Sequence, residues 1–497
     1  MIYFFAVLLL FLVYHFYWKR RNFPPGPTPL PLLGNLHTIL AHEPGYDAFE
    51  MWRKRYGPVY TYWIGMMPFV VVADYKTMKE TFVKDGDAYA GKFTIDEVTN
   101  DYRGGRYGVL DTVGDMWRDH RRFALHVLKD LGLSTNVMEQ RILREVEAMT
   151  EQLSAMKARE THIQILREVE AMTEQLSAMK ARETHIQEIF DVCVGSVINQ
   201  LLFGYRFDEH TIGEFRQLKS MMSNQLKEFA HPSAAFLFAF PVFRCLPYFR
   251  GQWKKSVSFY KGSFTALLYI ADKVIFLSGC CFDRQIDAHQ KQIDHDGDVA
   301  TDYVAAFLKE QKRREAEGDY ESFKHIQLQN VCLDLWIAGM ETTSNTLSWG
   351  VVYILNHLDI QVKMHEEMDR EIGSSRTITM ADKNYLHFTC AVVNEIQRLG
   401  NIVPLNLLHE TLRPVRIGAY DLPPKTGIVA QISTVLYDEE VFPDARTFNP
   451  SRFIDENGKL KKVDEFIPFS IGKRQCLGEG LAKMELFLFI ANLFNRF

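Results

Sequence analysis

Residues 469–478 read FSIGKRQCLG and place one cysteine, Cys476, in a short loop that contains two glycines. The residues that follow, 481–494, are predicted to form a helix. A thiolate close to the amino end of a helix is stabilised by the helix dipole and by backbone N–H groups. Glycines let a backbone approach a flat ligand closely, and Arg474 is placed to pair with a carboxylate on that ligand. The stretch therefore predicts a cysteine thiolate ligand in a tight loop before a helix.

The ten residues match the pattern F-x-x-G-x-R-x-C-x-G at all five of its fixed positions. A single cysteine is usually an inert core residue, but this agreement is too specific for that interpretation. The pattern resembles that of cytochromes P450, and the resemblance extends from the amino end to the last residue. It implies haem (iron protoporphyrin IX) with Cys476 as the axial ligand, because a thiolate pushes electron density onto the iron and favours O–O cleavage. It also implies the cytochrome P450 fold, mainly α with a small β part (α+β).

A second pattern, E-x-x-R, occurs at Glu395 and Arg398, and the later segment 448–453 contains Arg452. Pairs of opposite charge three residues apart are common on helix surfaces and carry little information alone. In cytochromes P450 the corresponding three residues form a buried ion network. The resemblance therefore implies that Glu395, Arg398 and Arg452 hold the fold around the haem.

The segment 338–343 reads AGMETT and lies within a predicted helix, 327–357. Hydroxyl side chains can bond back to helix carbonyls and bend the helix. The segment resembles the family's A-G-x-[DE]-T-[TS] pattern, which implies that Glu341 and Thr342 relay protons during oxygen activation. Without the cysteine loop, a kinked core helix with a solvated glutamate would be the better interpretation.

Three further residues are candidates for contact with the haem propionates. Trp117 and Arg121 match the pattern W-x-x-x-R and share a helix face. The resemblance also assigns His409 to a position that approaches a propionate. Each of them alone would more often be a packing residue or a surface charge.

The rest of the chain predicts a helix-rich body with a small sheet. Helical patterns cover 115–229, 327–357 and 381–399, whereas short strand signals occur at 59–64, 69–72, 416–422 and 427–432. No linker divides this body. We therefore expect one large haem-binding domain, 36–497.

The amino end predicts a retained membrane anchor at residues 1–21. Residues 2–18 are apolar or aromatic except His15, and Lys19, Arg20 and Arg21 follow. About 17 apolar residues are enough to span a bilayer, and basic residues after the span keep the remainder cytoplasmic. A cleaved signal would place its charge before the apolar run. A proline-rich hinge, 22–35, is stiff and cannot continue the helix.

Composition excludes several classes of protein. The net charge of −5 gives no indication of nucleic-acid binding. The seven cysteines are scattered and form no C-x-x-C pair, which disfavours a disulfide framework or a structural zinc site.

Two features depart from the family pattern. The 23 residues 142–164 (ILREVEAMTEQLSAMKARETHIQ) recur unchanged as 165–187. Because 23 residues advance a helix by about 140° beyond whole turns, a continuous helix would misalign its apolar face, so one copy must loop out or the packing must be rebuilt. Only 21 residues follow Cys476, so the carboxyl end looks shortened.

The resemblance is strongest to microsomal, family-2-like monooxygenases. It rests on the hinge, on 203–207 and on 394–409. It implies the endoplasmic reticulum membrane, a lipophilic substrate (xenobiotic, fatty acid or steroid-like), and electrons from NADPH-cytochrome P450 reductase, with cytochrome b5 as a further candidate donor. Residues Arg121, Arg122, Lys129 and Lys473 would face the reductase. The apolar segment 229–249 would dip into the membrane, although a buried helix pair is an equal interpretation. We expect substrate contacts from 103–113, 334–338 and 403–408.

Two alternatives stay open. A haem-thiolate isomerase or dehydratase of oxidised lipids needs no proton relay, so the intact pair Glu341 and Thr342 argues against it. A non-catalytic remnant without haem is favoured by the duplication and the early end, and disfavoured by the complete cysteine loop.

Overall fold

The computed structural model describes residues 2–16, 18–42, 46–133, 135–170, 186–230, 237, 240–247, 249–251, 253–254, 286, 290, 300–373 and 376–497. They form a mainly helical body with a small sheet, which confirms the expected fold class. In chain order the helices are α1 (Ile2–Phe16), α2 (Leu36–Ala41), α3 (Tyr46–Tyr56), α4 (Tyr75–Met78), α5 (Asp96–Arg103), α6 (Gly114–Asp130), α7 (Asn136–Glu170), α8 (Ile186–Phe203), α9 (Ile212–Ala230), α10 (Tyr303–Ala316), α11 (His325–Leu355), α12 (Leu358–Glu371), α13 (His387–Gly400), α14 (Ile432–Leu436) and α15 (Glu479–Arg496).

The centre of the body is α11, a helix of 31 residues that packs against α8, α13 and α15. Its apolar residues Leu328, Val331 and Trp336 are fully buried. Each such side chain contributes roughly 1.5–3 kcal/mol through removal from water. The core therefore fixes the position of α11, on which the segment 338–343 lies.

The larger sheet has the strand order β1-β2-β7-β4-β3. The strands are β1 (Val59–Ile64), β2 (Met67–Val72), β3 (Gly91–Lys92), β4 (His409–Glu410), β5 (Val415–Ile417), β6 (Tyr420–Leu422) and β7 (Gly427–Ala430). β1 and β2 form an antiparallel hairpin in which Ile64 faces Met67, and Gly65 adopts the positive φ that its tight turn requires. β3 pairs with β4 so that Lys92 lies opposite His409.

Most predicted elements occur where the sequence patterns placed them, with three differences. The helix expected at 381–399 begins at His387, after a separate 3₁₀ turn at Asp382–Asn384. The single strand expected at 416–422 is a two-stranded hairpin, β5–β6, because Gly418 with φ 59° reverses the chain inside it. The strand expected at 427–432 ends at Ala430, and α14 begins at Ile432.

The duplicated segment is divided between two helices. α7 runs without a break across the junction of the two copies, and its buried residues Met138, Ile142, Val146 and Met149 all precede or belong to the first copy. The last two residues of the second copy open α8. Residues 171–185, and the side chains from 157 onward in α7, lie outside the described part of the chain. The described core thus uses the start of the first copy and the end of the second.

The amino-terminal segment contacts the body through the hinge. In α1, His15 is buried and its Nε2 lies 3.2 Å from the carbonyl oxygen of Pro29. The hinge joins β1, since the backbone N–H of Thr61 donates to the carbonyl of Pro25 at 2.9 Å. By length and composition one described helix, α8, is long and apolar enough to cross a membrane, but 78% of it is buried in the protein, which is typical of a core helix. Residues 231–236, 238–239 and 248 of the expected membrane-dipping loop, 229–249, lie outside the described residues.

Candidate active site

The thiol of Cys476 lies at the amino end of α15. The backbone N–H of Cys476 donates to the carbonyl of Phe469 at 3.0 Å and closes the loop. Burial is the largest influence on the pKa of the Cys476 thiol and raises it, whereas hydrogen bonds from the backbone N–H groups of Gly478 and Glu479 lower it. Because Cys476 also keeps exposed surface, the thiol lies in a recess of the fold that a ligand can reach.

A cluster of cations surrounds this recess. Arg121 donates to the carbonyl of Gln475 at 2.6 Å, and its charge lowers the pKa of the Cys476 thiol. The guanidinium carbon of Arg474 lies 4.0 Å from the ring centroid of Trp117, and that of Arg121 lies 6.0 Å from it. The structure therefore brings the tryptophan and the two arginines named from the sequence together beside the cysteine loop.

Arg474 uses three of its N–H groups on backbone carbonyls. It donates to Ala90 at 2.9 Å, to Val109 at 3.3 Å and to Thr112 at 2.6 Å. A guanidinium has five N–H donors, so this residue joins β3 and the loop before α6 to the cysteine loop. Its contact with a carboxylate of a ligand stays a prediction.

Lys92 and His409 extend the cluster along β3 and β4. Burial lowers the pKa of Lys92 to about 8, and Asp111 partly offsets this effect. Burial, followed by the charges of Lys92 and Arg474, lowers the pKa of His409 to about 3. Its Nδ1 lies 3.1 Å from the carbonyl oxygen of Tyr89, so Nδ1 carries the proton. The Nε2 of a neutral His409 is then an acceptor, and it can donate to a propionate only after protonation.

The segment Ala338–Thr343 of α11 has one open face. Ala338 is exposed although it lies in the middle of a buried helix, and Thr342, four residues later on the same face, is half-buried. The hydroxyl of Thr342 donates to the carbonyl of Ala338 at 2.6 Å. This back-bond uses the hydroxyl proton, so the oxygen of Thr342 can still accept a hydrogen bond.

The other faces of this turn are tied to three surrounding helices. Glu341 accepts from Lys219 of α9 at 2.8 Å. Thr343 is buried and acts on Glu485 of α15, whose pKa is raised by burial and lowered in part by the Thr343 hydroxyl. Ser344 donates to Asp191 of α8. Since these residues point in directions about 100° apart, Thr342 is the member of the turn that remains on the open face.

The three charged residues predicted as a structural network meet at the end of α13. Arg398 and Glu395 are both fully buried and form a two-pronged pair at 2.7 and 2.8 Å. Arg452 adds a contact to Glu395 at 3.1 Å, and Arg398 also donates to the carbonyl of Leu436 at 2.8 Å. The network therefore joins α13, α14 and the loop that contains Arg452.

Comparison with known proteins agrees with this geometry. The model of the cytochrome P450 family matches residues 24–497. The chain belongs to the cytochrome P450 family. It is 32% identical over 492 residues to cytochrome P450 2C11 of Rattus norvegicus, covering 99% of this chain and 89% of the relative. It is 31% identical over 493 residues to cytochrome P450 2C8 of Homo sapiens, covering 99% and 91%. It is 32% identical over 480 residues to cytochrome P450 2H1 of Gallus gallus, covering 96% and 88%.

Membership identifies the chain as a haem-dependent monooxygenase. The residues of this cytochrome P450 fit haem in two respects. Cys476 offers an accessible thiol with N–H donors around it, which is the donor that haem iron takes in this family. The buried cations Arg121, Arg474 and Lys92 have lowered pKa values because burial disfavours their charge. A ligand that carries carboxylates would offset that cost.

Sequence patterns did not indicate three residues that contribute to the site of this cytochrome P450. Lys92, Lys219 and Glu485 belong to no motif, and each reaches the site through a contact with a residue distant in sequence. Lys92 lies opposite His409 where β3 pairs with β4. Knowledge of this pairing would therefore have led from His409 to Lys92.

Two of the regions expected to contact substrate, 103–113 and 334–338, are joined to each other by internal bonds. Asp334 is buried, pairs with Arg103 at 2.7 Å and accepts from the backbone N–H groups of Val109 and Leu110 at 2.9 and 3.0 Å. These bonds attach the segment 103–113 to α11. Of the expected contacts in 334–338, Ala338 has the exposed surface that a substrate contact needs.

Proposed function

We propose that this cytochrome P450 is a membrane-bound enzyme that inserts one oxygen atom into a lipophilic small molecule, using electrons from NADPH-cytochrome P450 reductase. The observation that carries the proposal is the accessible Cys476 thiol in its cradle of N–H donors beside Arg121. The substrate class, xenobiotic, fatty acid or steroid-like, is supported by the similarity to family-2 relatives.

Each part of the site would have a separate task. Haem, when bound, supplies the activation of O₂. Cys476 would bind its iron, and Arg121, Arg474 and Trp117 would hold its carboxylates. His409 would join them after taking up a proton at Nε2.

Proton movement would use the segment on α11. The hydroxyl of Thr342 lies on the open face and is fixed by Ala338. The carboxylate of Glu341 is held by Lys219, while the side-chain amide of Asn345 donates to the Glu341 carbonyl at 2.7 Å. Glu341 must therefore leave Lys219 before it can deliver a proton toward Thr342.

Electrons would enter on the side of the cysteine loop. Arg122, Lys129 and Lys473 are exposed, Lys473 belongs to the cysteine loop, and Arg121 bonds the carbonyl of Gln475 in that loop. A basic face of this kind attracts an acidic partner and does so less at high salt. Cytochrome b5 would use the same face. The apolar residues of α1 and the basic residues after it support an endoplasmic reticulum membrane location with a cytoplasmic catalytic domain.

The two alternatives make different predictions. An isomerase or dehydratase of oxidised lipids would turn over without NADPH, and a non-catalytic remnant would not take up haem. The open-face position of Thr342 favours the monooxygenase.

The deciding experiment is the difference spectrum of the reduced protein with carbon monoxide, measured in membranes that contain the expressed chain. We expect a strongly red-shifted Soret band that is lost in Cys476→Ser and kept in Cys245→Ser, an exposed cysteine outside the loop. NADPH consumption with added reductase then separates a monooxygenase from an isomerase. A well-expressed chain without a haem band would refute the proposal.

A further inference from the structure

Asn406 lies in the segment 403–408, which is expected to contact substrate, and it has a conformation that most residues avoid. Its φ is +51°, in the left-handed region. Asparagine enters this region more readily than most residues because its short side chain can bond the nearby backbone. The Oδ1 of Asn406 does so, since it accepts from the backbone N–H of Leu407 at 2.7 Å. The conformation of Asn406 is therefore supported by its own side chain.

The amide group of the same side chain bonds two other parts of the fold. Its Nδ2 donates to the carbonyl of Ala430, the last residue of β7, at 2.8 Å, and to the hydroxyl oxygen of Ser470 at 3.0 Å. These partners lie 24 and 64 residues further along the chain. One side chain thus joins the segment 403–408 to the sheet and to the cysteine loop.

Ser470 is the second residue of the cysteine loop and is itself left-handed, with φ +63°. Its preceding residue, Phe469, supplies the carbonyl that accepts from the backbone N–H of Cys476 at 3.0 Å. The carbonyl of Phe469 and the nitrogen of Ser470 belong to one planar peptide unit, so a displacement of Ser470 moves the carbonyl that closes the loop. The bond from Asn406 therefore restrains the backbone that positions the thiol.

The residues around Asn406 in this segment form an apolar row. Val403, Leu405 and Leu407 are 40%, 40% and 46% exposed, whereas Pro404 and Asn406, which alternate with them, are half-buried. Apolar side chains that line an open surface are what a lipophilic ligand contacts. The segment thus offers an exposed apolar row and, through Asn406, a bond to the cysteine loop.

We propose that Asn406 is a positioning residue that holds the segment 403–408 against the cysteine loop, so that the apolar row and the Cys476 thiol keep a fixed relation. Contact of the row with substrate rests on the proposed function, whereas the link to the loop does not. An aliphatic residue at position 406 would supply neither the conformation nor the bonds. A glycine there would supply the conformation alone.

Glycine replacements separate the side-chain bonds from the backbone conformation. Glycine adopts positive φ without strain, so Asn406→Gly and Ser470→Gly keep the conformation and remove the link. The readout is the spectrum of the reduced protein with carbon monoxide, as the ratio of the red-shifted, thiolate-ligated band to the shorter-wavelength band of haem without thiolate. Ser470→Gly should lower this ratio by about two- to tenfold, the effect of one lost hydrogen bond. Asn406→Gly should lower it at least as much, and the double variant no further than Asn406→Gly.

Asn401→Gly is the matched control. Asn401 is another asparagine in the left-handed region, with φ +38°, and it follows the last residue of α13. Within the part of the chain that the structure describes, neither Nδ2 nor Oδ1 of its buried side chain has a hydrogen-bond partner. This variant therefore makes the same substitution without breaking a side-chain bond, and the band ratio should stay within twofold of that of the parent protein.

Thermal unfolding tests the link independently of haem. Asn406→Gly and Ser470→Gly should each lower the midpoint temperature, and the double variant should lower it by less than the sum of the two shifts, because both remove the same bond. If Asn406→Gly does not fold, the band ratio of Ser470→Gly still reports on the link.

The outcomes separate the two proposals. Additive shifts in the double variant, an unchanged band ratio in Ser470→Gly, or an equal loss of the ratio in Asn401→Gly would overturn the positioning role. A parent protein without the thiolate band would overturn both proposals. Absence of product from a parent protein that shows this band would refute the proposed function and leave the positioning role standing.

Discussion

The two glycines of the cysteine loop have different physical requirements, and replacing each by alanine separates them. Gly472 has φ +87°, and a Cβ placed on it would lie 2.0 Å from the carbonyl oxygen of Phe82. That oxygen belongs to the backbone and cannot turn away. Gly478 has φ −88°, and no protein atom lies within 4 Å of a Cβ placed there.

The expected cost of Gly472→Ala follows from these two contacts. The left-handed conformation costs an L residue about 1–2 kcal/mol. Relieving the overlap with the Phe82 backbone costs about 1–3 kcal/mol more. A loss of about 2–5 kcal/mol is a large part of the stability of a typical protein. We expect Gly472→Ala to lose most of its thiolate-ligated haem, and Gly478→Ala to change stability by less than about 1 kcal/mol.

The assay combines two measurements on membranes that contain equal amounts of each variant. One is the height of the red-shifted carbon monoxide band per chain, and the other is the midpoint temperature of its loss. If Gly472→Ala matched the parent protein in both, the argument from the Phe82 contact would be wrong. If both glycine variants failed equally, approach to the haem, rather than contact with Phe82, would be the reason for the glycines.

Three further perturbations have defined outcomes. Arg398→Met leaves the fully buried Glu395 with fewer partners and should lower the free energy of thermal unfolding by about 3–5 kcal/mol. Arg446→Met is the control, because the Arg446 side chain is 42% exposed, and it should lower that free energy by less than about 1 kcal/mol. Burial raises the pKa of Glu145 to about 7 in the folded protein. In the unfolded chain Glu145 loses its proton at lower pH, so the free energy of unfolding should fall by about 3 kcal/mol between pH 4.5 and 7. Glu145→Gln should remove that fall, and an unchanged pH profile in this variant would contradict the assignment. Deletion of 165–187 should keep the haem band at least as high as in the parent protein, and loss of the band would show that the extra residues are needed for folding.

The parts of the fold and site that sequence could predict are those determined by local patterns. The strand signals at 59–64 and 69–72 correspond to β1 and β2, and the helices predicted at 327–357 and 481–494 correspond to α11 and α15. The cysteine loop could be predicted because the positions of its glycines and the start of the helix that follows it are both local properties of the sequence. The hairpin β5–β6 was taken as one strand because Gly418 is a single residue within a continuous strand-like run.

The parts that sequence could not predict depend on contacts between distant residues. The pair of Glu341 and Lys219 joins residues 122 positions apart, and that of Arg103 and Asp334 joins two helices across the core. No periodicity marks the partner in such a pair. Asp334 belongs to the segment 334–338 that is expected to contact substrate, and no local pattern indicated that its side chain bonds the loop 108–110.

The duplication can be reconciled with an intact site by the position of one residue. Gln187, the last residue of the second copy, donates to Asp191 at 2.9 Å and to Ser344 at 2.7 Å, and so belongs to the contacts that hold α11 against α8.

Gln164 ends the first copy and is preceded by the same 22 residues. Because Gln187 leads directly into Glu188 and the rest of α8, continuity of the chain places Gln187 at this position. The additional residues then precede this contact. Since the two copies are identical, removing either one gives the same polypeptide, with its single glutamine next to Glu188. The contacts to Asp191 and Ser344 are therefore available to the chain with or without the second copy.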